Sequence, residues 1–287
     1  MKNLEDYLKQ NLHESSVKSY LYNIEKYKKI NKNASKFNYQ KVMQYIELLR
    51  KTYQIGTIKT ILASIKKYYE YLIETGQRKD NPASAIKLKD SKEKPIQLQD
   101  LLTEKELENL LKPRKERYPI LTKRNQIIIS LLVNQALRIG EIQQIQTSDV
   151  NLDKATINIK GTALTNTRIL PLKAQQILLF YEYINQDRNK LKTFRNDENT
   201  LILGKLGTPI KTDDIHYLIS TYQTELNKNL TPTTIRQSVI TNLLSKNNDL
   251  RIVQEFAGHK HLDTTEKYKE TGLNALKTAI EKLHPIK

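Results

Sequence analysis

The sequence predicts a mainly α-helical protein of two domains with one small β-hairpin. Three observations carry this. Apolar residues recur at three- and four-residue steps along both halves of the chain. A polar, proline-bearing stretch between residues 81 and 100 interrupts that periodicity. One short segment, ATINIK at 155–160, alternates polar and apolar residues with the period of a strand instead. The 287 residues exceed what one small core organises and suffice for two buried interiors.

Residues 14–29, 38–53 and 57–75 read as helices, and in the last of them Ile58, Ile61, Leu62, Ile65, Tyr69 and Leu72 form one stripe. Lys59 and Lys66, seven apart, share another face of it and are candidates for DNA contact. Gly76 ends this helix, so residues 1–80 form the first domain. The segment 81–100 carries Pro82 and Pro95 and reads as an interdomain linker. Thr103 and Glu106 match a capping box that opens the second domain, 101–287, and helices follow at 121–137 and from Gly140 to about 146. Alternation at 155–160 and the closing TRILPL at 167–172 define a β-hairpin, with Ile157 and Ile159 on its packed face and Lys160 at the strand end. Thr231 then serves as N-cap and Pro232 as the first helical residue, with Thr233 and Arg236 on one face.

Charge narrows the partner. Forty-eight Lys and Arg against 31 Asp and Glu give a net +17, spread along the chain. Residues 1–80 hold 16 basic and 8 acidic side chains and ten of the 16 tyrosines, side chains that can hydrogen-bond phosphates or lie along sugars. A polyanion is the natural ligand, and a basic solvated surface is the alternative. The absence of cysteine removes disulfides, thiolate catalysis and Cys-based zinc sites, and agrees with a reducing, cytoplasmic compartment. The N-terminus mixes acids and bases unlike a signal peptide, and the most apolar run, IIISLLV at 127–133, is too short to span a bilayer. No convincing cluster of carboxylates or His ligands is present, so no metal is expected and a metal-dependent nuclease or transposase is a distant third reading.

Four segments carry candidate chemistry: ALRIGEI at 136–142, Lys160 on the hairpin, TPTTIRQ at 231–237 and GHKHLDTTEKY at 258–268. Taken singly each has an ordinary explanation: a solvated hairpin lysine, a self-capped helix start, an exposed phenol. Together, in this order and with nine residues between His259 and Tyr268, they resemble the boxes of the tyrosine recombinase, or phage integrase, family. The resemblance covers essentially the whole chain. It implies a helical SAM-like N-terminal DNA-binding domain followed by an α+β catalytic domain. It also implies an Xer-like site-specific recombinase that breaks and rejoins duplex DNA without metal or ATP.

The implied roles fit the residue types. Arg138 and Arg236 present planar, permanently charged forks to the phosphate, and His259 adds a donor. Lys160 protonates the leaving 5′ oxygen, and Tyr268 attacks to leave a 3′-phosphotyrosine. A phenol ionises near pH ~10, so the cations are expected to ease its ionisation. Glu141 falls where the family often keeps a supporting acid, and a helix-surface carboxylate is the alternative. Two departures stand out: Thr233 occupies the usual position of a histidine, and Gln237 follows Arg236 where histidine is frequent. Threonine can donate to a phosphate but does not exchange protons near neutral pH.

The tail places Leu273, Leu276, Ile280 and Leu283 on one helical stripe, to pack in cis or dock on a neighbouring protomer of a tetramer on paired DNA. A second recombinase or an accessory factor is compatible with this scheme. No extra domain precedes the first helices, so binding of arm-type sites is not expected. A catalytically weakened or inactive DNA-binding relative is the alternative to the enzyme, with Thr233 as its mark.

Overall fold

The computed structural model describes residues 3–12, 14–89, 98–192, 199–226 and 228–269. The chain divides into two compact units, Met1–Lys94 and Pro95–Lys287.

The first unit is built from α1 (Leu4–Asn11), α2 (Glu14–Ile30), α3 (Tyr39–Arg50) and α4 (Ile55–Glu74). Asn3 and Asn38 cap α1 and α3 by accepting the amides of Asp6 at 2.7 Å and Lys41 at 3.0 Å. The whole α4 stripe from Ile58 to Leu72 is buried, and α2 and α3 pack against it. Tyrosine has a different place here from the one composition suggests. Tyr7, Tyr27, Tyr45, Tyr68 and Tyr69 lie in the core. The Tyr27 and Tyr69 hydroxyls bond each other at 2.8 Å, and Tyr69 donates onward to the Ala34 carbonyl at 2.7 Å. Burial raises both phenols above their usual range. Five tyrosines of this unit are therefore structural, whereas Tyr22 and Tyr39 are exposed.

The expected linker is shorter at its start. Ala83 and Ile86 insert into the core of the first unit. Lys66 fixes the segment by donating to the Ser84 and Ile86 carbonyls at 3.1 and 2.8 Å, and Asn81 donates to the Lys66 carbonyl at 3.1 Å. Two apolar side chains and these three hydrogen bonds hold the segment on the first unit.

The second unit opens with α5 (Glu104–Leu110), whose Thr103–Glu106 capping box is formed: Thr103 N donates to Glu106 at 2.7 Å. Next come α6 (Thr122–Asn134) and α7 (Ile139–Gln144). The apolar run at 127–133 lies in α6, a helix buried nearly all round and therefore central to the core. The helix expected over 121–137 stops at Asn134, because Ala136 adopts a left-handed φ of 51°. A non-glycine residue there is strained, and such strain clusters at functional sites.

Strands β1 (Val150–Asn151), β2 (Thr156–Ile159) and β3 (Arg168–Pro171) form an antiparallel sheet in the order β1-β2-β3, so the expected hairpin gains a third, two-residue strand. Its register pairs Ile157 with Leu170 and Ile159 with Arg168. Helix α8 (Ala174–Glu182) continues through a π-helical turn, Tyr183–Asp187, into α9 (Arg188–Lys192). The unit is completed by α10 (Thr212–Leu226), α11 (Pro232–Ser245) and α12 (Leu250–Ala257), and residues 263–269 are helical. As expected, Thr231 caps α11, accepting Thr234 N at 3.0 Å, with Pro232 in its first turn. The apolar stripe expected at 273–283 lies outside the described residues. Among the described residues, no helix is long and apolar enough to cross a membrane, and no group of three or more His, Asp or Glu is placed to hold a metal ion.

Candidate active site

Three elements bring the candidate residues together. Arg138 is the N-cap residue of α7, Arg236 lies in the second turn of α11, and Tyr268 lies on the helical segment after α12. All three line one cavity of about 250 Å³, with Leu137, Ile139, His216, Pro232, Thr233 and Gln237 around them.

Arg236 is 5% exposed and reaches across the fold: Nη1 donates to the Ala136 carbonyl and Nη2 to the Ala257 carbonyl at 2.6 Å. The strained turn at Ala136 therefore aims an acceptor at this guanidinium. Burial, reinforced by Arg138 nearby, lowers the Arg236 pKa to about 10, so it remains a cation at neutral pH.

His259 follows Gly258, whose left-handed φ of 68° ends α12. It is 2% exposed, its Nδ1 lies 2.9 Å from Thr265 Oγ1, and its ring stacks on Tyr268 with centroids 6.0 Å apart. Burial, helped by the positive charges of Arg236, Arg138 and Arg168, lowers its pKa to about 4, and the imidazole is neutral at pH 7.

Burial also raises the Tyr268 phenol above its ordinary value, while Arg236 and then Arg138 pull it back down. The expectation that the cations ease ionisation is thus half met: their pull has the right sign but burial outweighs it. The Tyr268 ring packs against Ile240, Val253 and Ala257, which fixes its direction.

Beneath the cavity sits a buried ion pair that the sequence did not reveal. The Glu141 side chain is fully buried and Arg168, on β3, is 3% exposed at its side chain. Arg168 grips the carboxylate with two bonds, Nη1 to Oε1 at 2.7 Å and Nη2 to Oε2 at 3.2 Å. The same carboxylate accepts the Arg138 amide at 2.9 Å and lies 3.9 Å from Arg236 Nη1. Burial alone would raise the Glu141 pKa, but the Arg168 fork and the Arg138 amide hold it below the usual carboxylate range. Glu141 is therefore a central buried anion and not a surface group. Arg168 Nε also donates to the Phe256 carbonyl at 2.8 Å, so two arginines, 168 and 236, cap the last carbonyls of α12. Its signal in the sequence was faint: in TRILPL it falls on the same strand face as the buried Leu170, and a buried arginine demands a carboxylate.

Three polar atoms of this cluster stand out. Arg138 Nε, Arg236 Nε and His259 Nε2 are buried without a hydrogen-bond partner, and only Thr241 Oγ1 joins them among the described residues. A buried unpaired polar atom costs ~1–3 kcal/mol, so the gathering of three in one cluster sets it apart from the rest of the described residues.

Lys160 lies apart. It is 48% exposed, donates to Gln146 Oε1 at 3.1 Å and lies 3.4 Å from Asp149 Oδ2, and it is not among the cavity's lining. The loop that follows is tied to the cluster, with a Thr165–His259 bridge and Asn166 N donating to the Gly258 carbonyl at 2.9 Å. Thr233 is exposed at the cavity, and His261 is exposed. In the first unit Lys59 is half-buried on α4, and Lys66 is engaged with the carbonyls named above.

The fold thus gathers two arginines and a tyrosine around one cavity, with a neutral imidazole stacked on that tyrosine. Comparison with known proteins agrees. Residues 100–272 match the model of the phage integrase family. Tyrosine recombinase XerD of Staphylococcus haemolyticus is 30% identical over 235 residues, covering 80% of this chain and 76% of that protein. Tyrosine recombinase XerC of Listeria welshimeri is 24% identical over 241 residues, covering 83% of this chain and 79% of that protein. Among solved structures, the XerH site-specific recombinase bound to its difH substrate in a pre-cleavage complex shares the fold with a TM-score of 0.73 at 19% identity, over 96% of this chain and 84% of that one. The chain belongs to the phage integrase family, and with it to the tyrosine-type site-specific recombinase enzymes.

Proposed function

We propose that this protein cuts and rejoins duplex DNA by transesterification through a 3′-phosphotyrosine at Tyr268, without metal or ATP. The observation that carries the proposal is the set of unpartnered nitrogens on Arg138 and Arg236, which share the cavity with Tyr268, and on His259, whose ring stacks on it. A scissile phosphate would accept from all three. Charge that builds on its nonbridging oxygens meets donors held in place by Ala136, Ala257 and Thr265, and little reorganisation is needed. His259 acts as a neutral donor, and Glu141 with Arg168 acts by holding the arginines.

Tyr268 attacks phosphorus, its bond to phosphorus forms as the bond to the 5′ oxygen breaks, and the phosphodiester energy is kept for rejoining. The leaving 5′ oxygen takes its proton from Lys160, which must leave Gln146 and Asp149 to deliver it. The partner is a double-stranded recombination site, gripped in part by the basic first unit, where Lys59 is free to reach a phosphate and Lys66 would first release its two carbonyls. Strand exchange calls for a tetramer on paired DNA in the cytoplasm.

A nicked suicide duplex, from which the released strand diffuses away, tests this on a denaturing gel. A covalent species that is lost in Tyr268→Phe supports the proposal. An adduct that persists in the variant refutes the nucleophile, and no adduct with either protein favours the DNA-binding relative that Thr233 suggests.

A further inference from the structure

Resting on the reading of Tyr268 as nucleophile, we infer that His216 is the proton acceptor for the Tyr268 hydroxyl, replacing the imidazole that Thr233 cannot provide. Attack requires the phenol to lose its proton in a site where burial holds that proton on. The lining of the cavity decides where it goes. Arg138 and Arg236 are cations without a lone pair to offer. Thr233 and Gln237 carry a hydroxyl and an amide that do not titrate near neutrality. His259 is pushed down to about 4 and its Nδ1 is engaged by Thr265, so it holds a transferred proton poorly. His216 is the remaining lining residue whose side chain has a basic nitrogen lone pair to offer.

Its position is fixed by the fold. Gln143, on α7, donates through Nε2 to the Ile210 carbonyl at 2.9 Å and accepts from Thr212 Oγ1 at 3.3 Å. These bonds dock the start of α10 on the helix whose N-cap is Arg138. Ile215 and Leu218 bury the other face of α10, which leaves His216 exposed at the cavity. The charged and titratable groups that line the cavity with it are Arg138, Arg236 and Tyr268, and Asp213 and Asp214 lie in the first turn of its own helix.

In the forward step the Tyr268 Oη proton passes to an imidazole nitrogen of His216, directly or through one water. The Oη–P bond forms, the P–O5′ bond breaks, and O5′ is protonated from Lys160. On rejoining, a 5′ hydroxyl gives its proton back to the Lys160 amine as it attacks phosphorus, the Oη–P bond breaks, and the imidazolium returns its proton to the departing phenolate, so Lys160 and His216 both end each cycle unchanged.

The test is the single-turnover rate of adduct formation on the nicked duplex from pH 5 to 8, with duplex affinity measured in parallel. His216→Gln should slow adduct formation about a hundredfold and flatten its pH dependence, with affinity within about twofold of the unaltered protein. Adding Thr233→His to H216Q should restore rate and pH dependence together. An H216Q rate and pH profile equal to those of the unaltered protein would overturn this inference while leaving Tyr268 in place. A loss explained by weaker duplex binding, or restoration of rate by T233H without the pH dependence, would also overturn it. No adduct with the unaltered protein overturns the reading of Tyr268 and this inference together.

Discussion

Replacing Gly258 by alanine should cost far more than a surface change. A Cβ at this position would lie 2.5 Å from Arg168 Nη1, 2.9 Å from Cζ and 3.2 Å from Cδ. The φ of +68° adds a left-handed penalty of ~1–2 kcal/mol for any residue with a Cβ. The clashing atoms are not a free side-chain end, because Arg168 is clamped to Glu141, Phe256 and Asn166. Displacing it breaks a buried ion pair, worth ~3–5 kcal/mol when one partner is lost. The sum is about 4–7 kcal/mol, a large part of a typical domain's stability. Native-state hydrogen exchange read by mass spectrometry on peptides covering α6 and β3 should show that loss, with the first unit unchanged. A loss of about 2 kcal/mol or less, no more than the left-handed φ alone accounts for, would mean that Arg168 moves without cost, and would refute the clamp.

Further outcomes follow from the site. His259 is neutral when folded and its pKa falls from 6.5 to about 4, so the unfolded chain binds the extra proton between those values. The stability it contributes is complete above pH 6.5 and is lost as pH falls towards 4, by about 3 kcal/mol; His259→Gln should flatten that acid limb in exchange or denaturant measurements. Arg138→Ala and Arg236→Ala should abolish adduct formation, by about a hundredfold or more each, while duplex binding stays largely intact in a gel-shift assay. Equal loss of binding would contradict the division of labour between the units. Lys160→Ala should cleave an ordinary strand poorly but regain speed on a strand whose leaving 5′ atom is sulfur, since a thiolate leaves without a proton; failure of that rescue would remove Lys160 from its role.

Much of this was legible because it is local. The α4 stripe, the Thr103–Glu106 box, the Thr231–Pro232 start and the alternation in β2 each state their element within a few residues. Order and spacing also marked Arg138, Arg236, His259 and Tyr268, and three of these line one cavity while the fourth stacks on Tyr268. What escaped was decided by contacts distant in sequence. Arg168 meets Glu141 across 27 residues, and the fold alone makes that carboxylate a central anion. Tyrosine serves equally well in a core or on a phosphate, so composition could not tell that Tyr27 and Tyr69 bond each other. Burial also set the sign of the Tyr268 shift, which counting nearby charges misses. His216 carries no motif and gains meaning from the docking of α10 on α7.

The central claim is that one phenol becomes covalently bonded to DNA. Trapping the adduct on a nicked duplex, digesting protein and DNA, and sequencing the modified peptide by mass spectrometry locates the bond. A 3′-phosphonucleotide on Tyr268 is the predicted result. The same mass on any other residue, or on none while strands are nonetheless cut, would contradict the account.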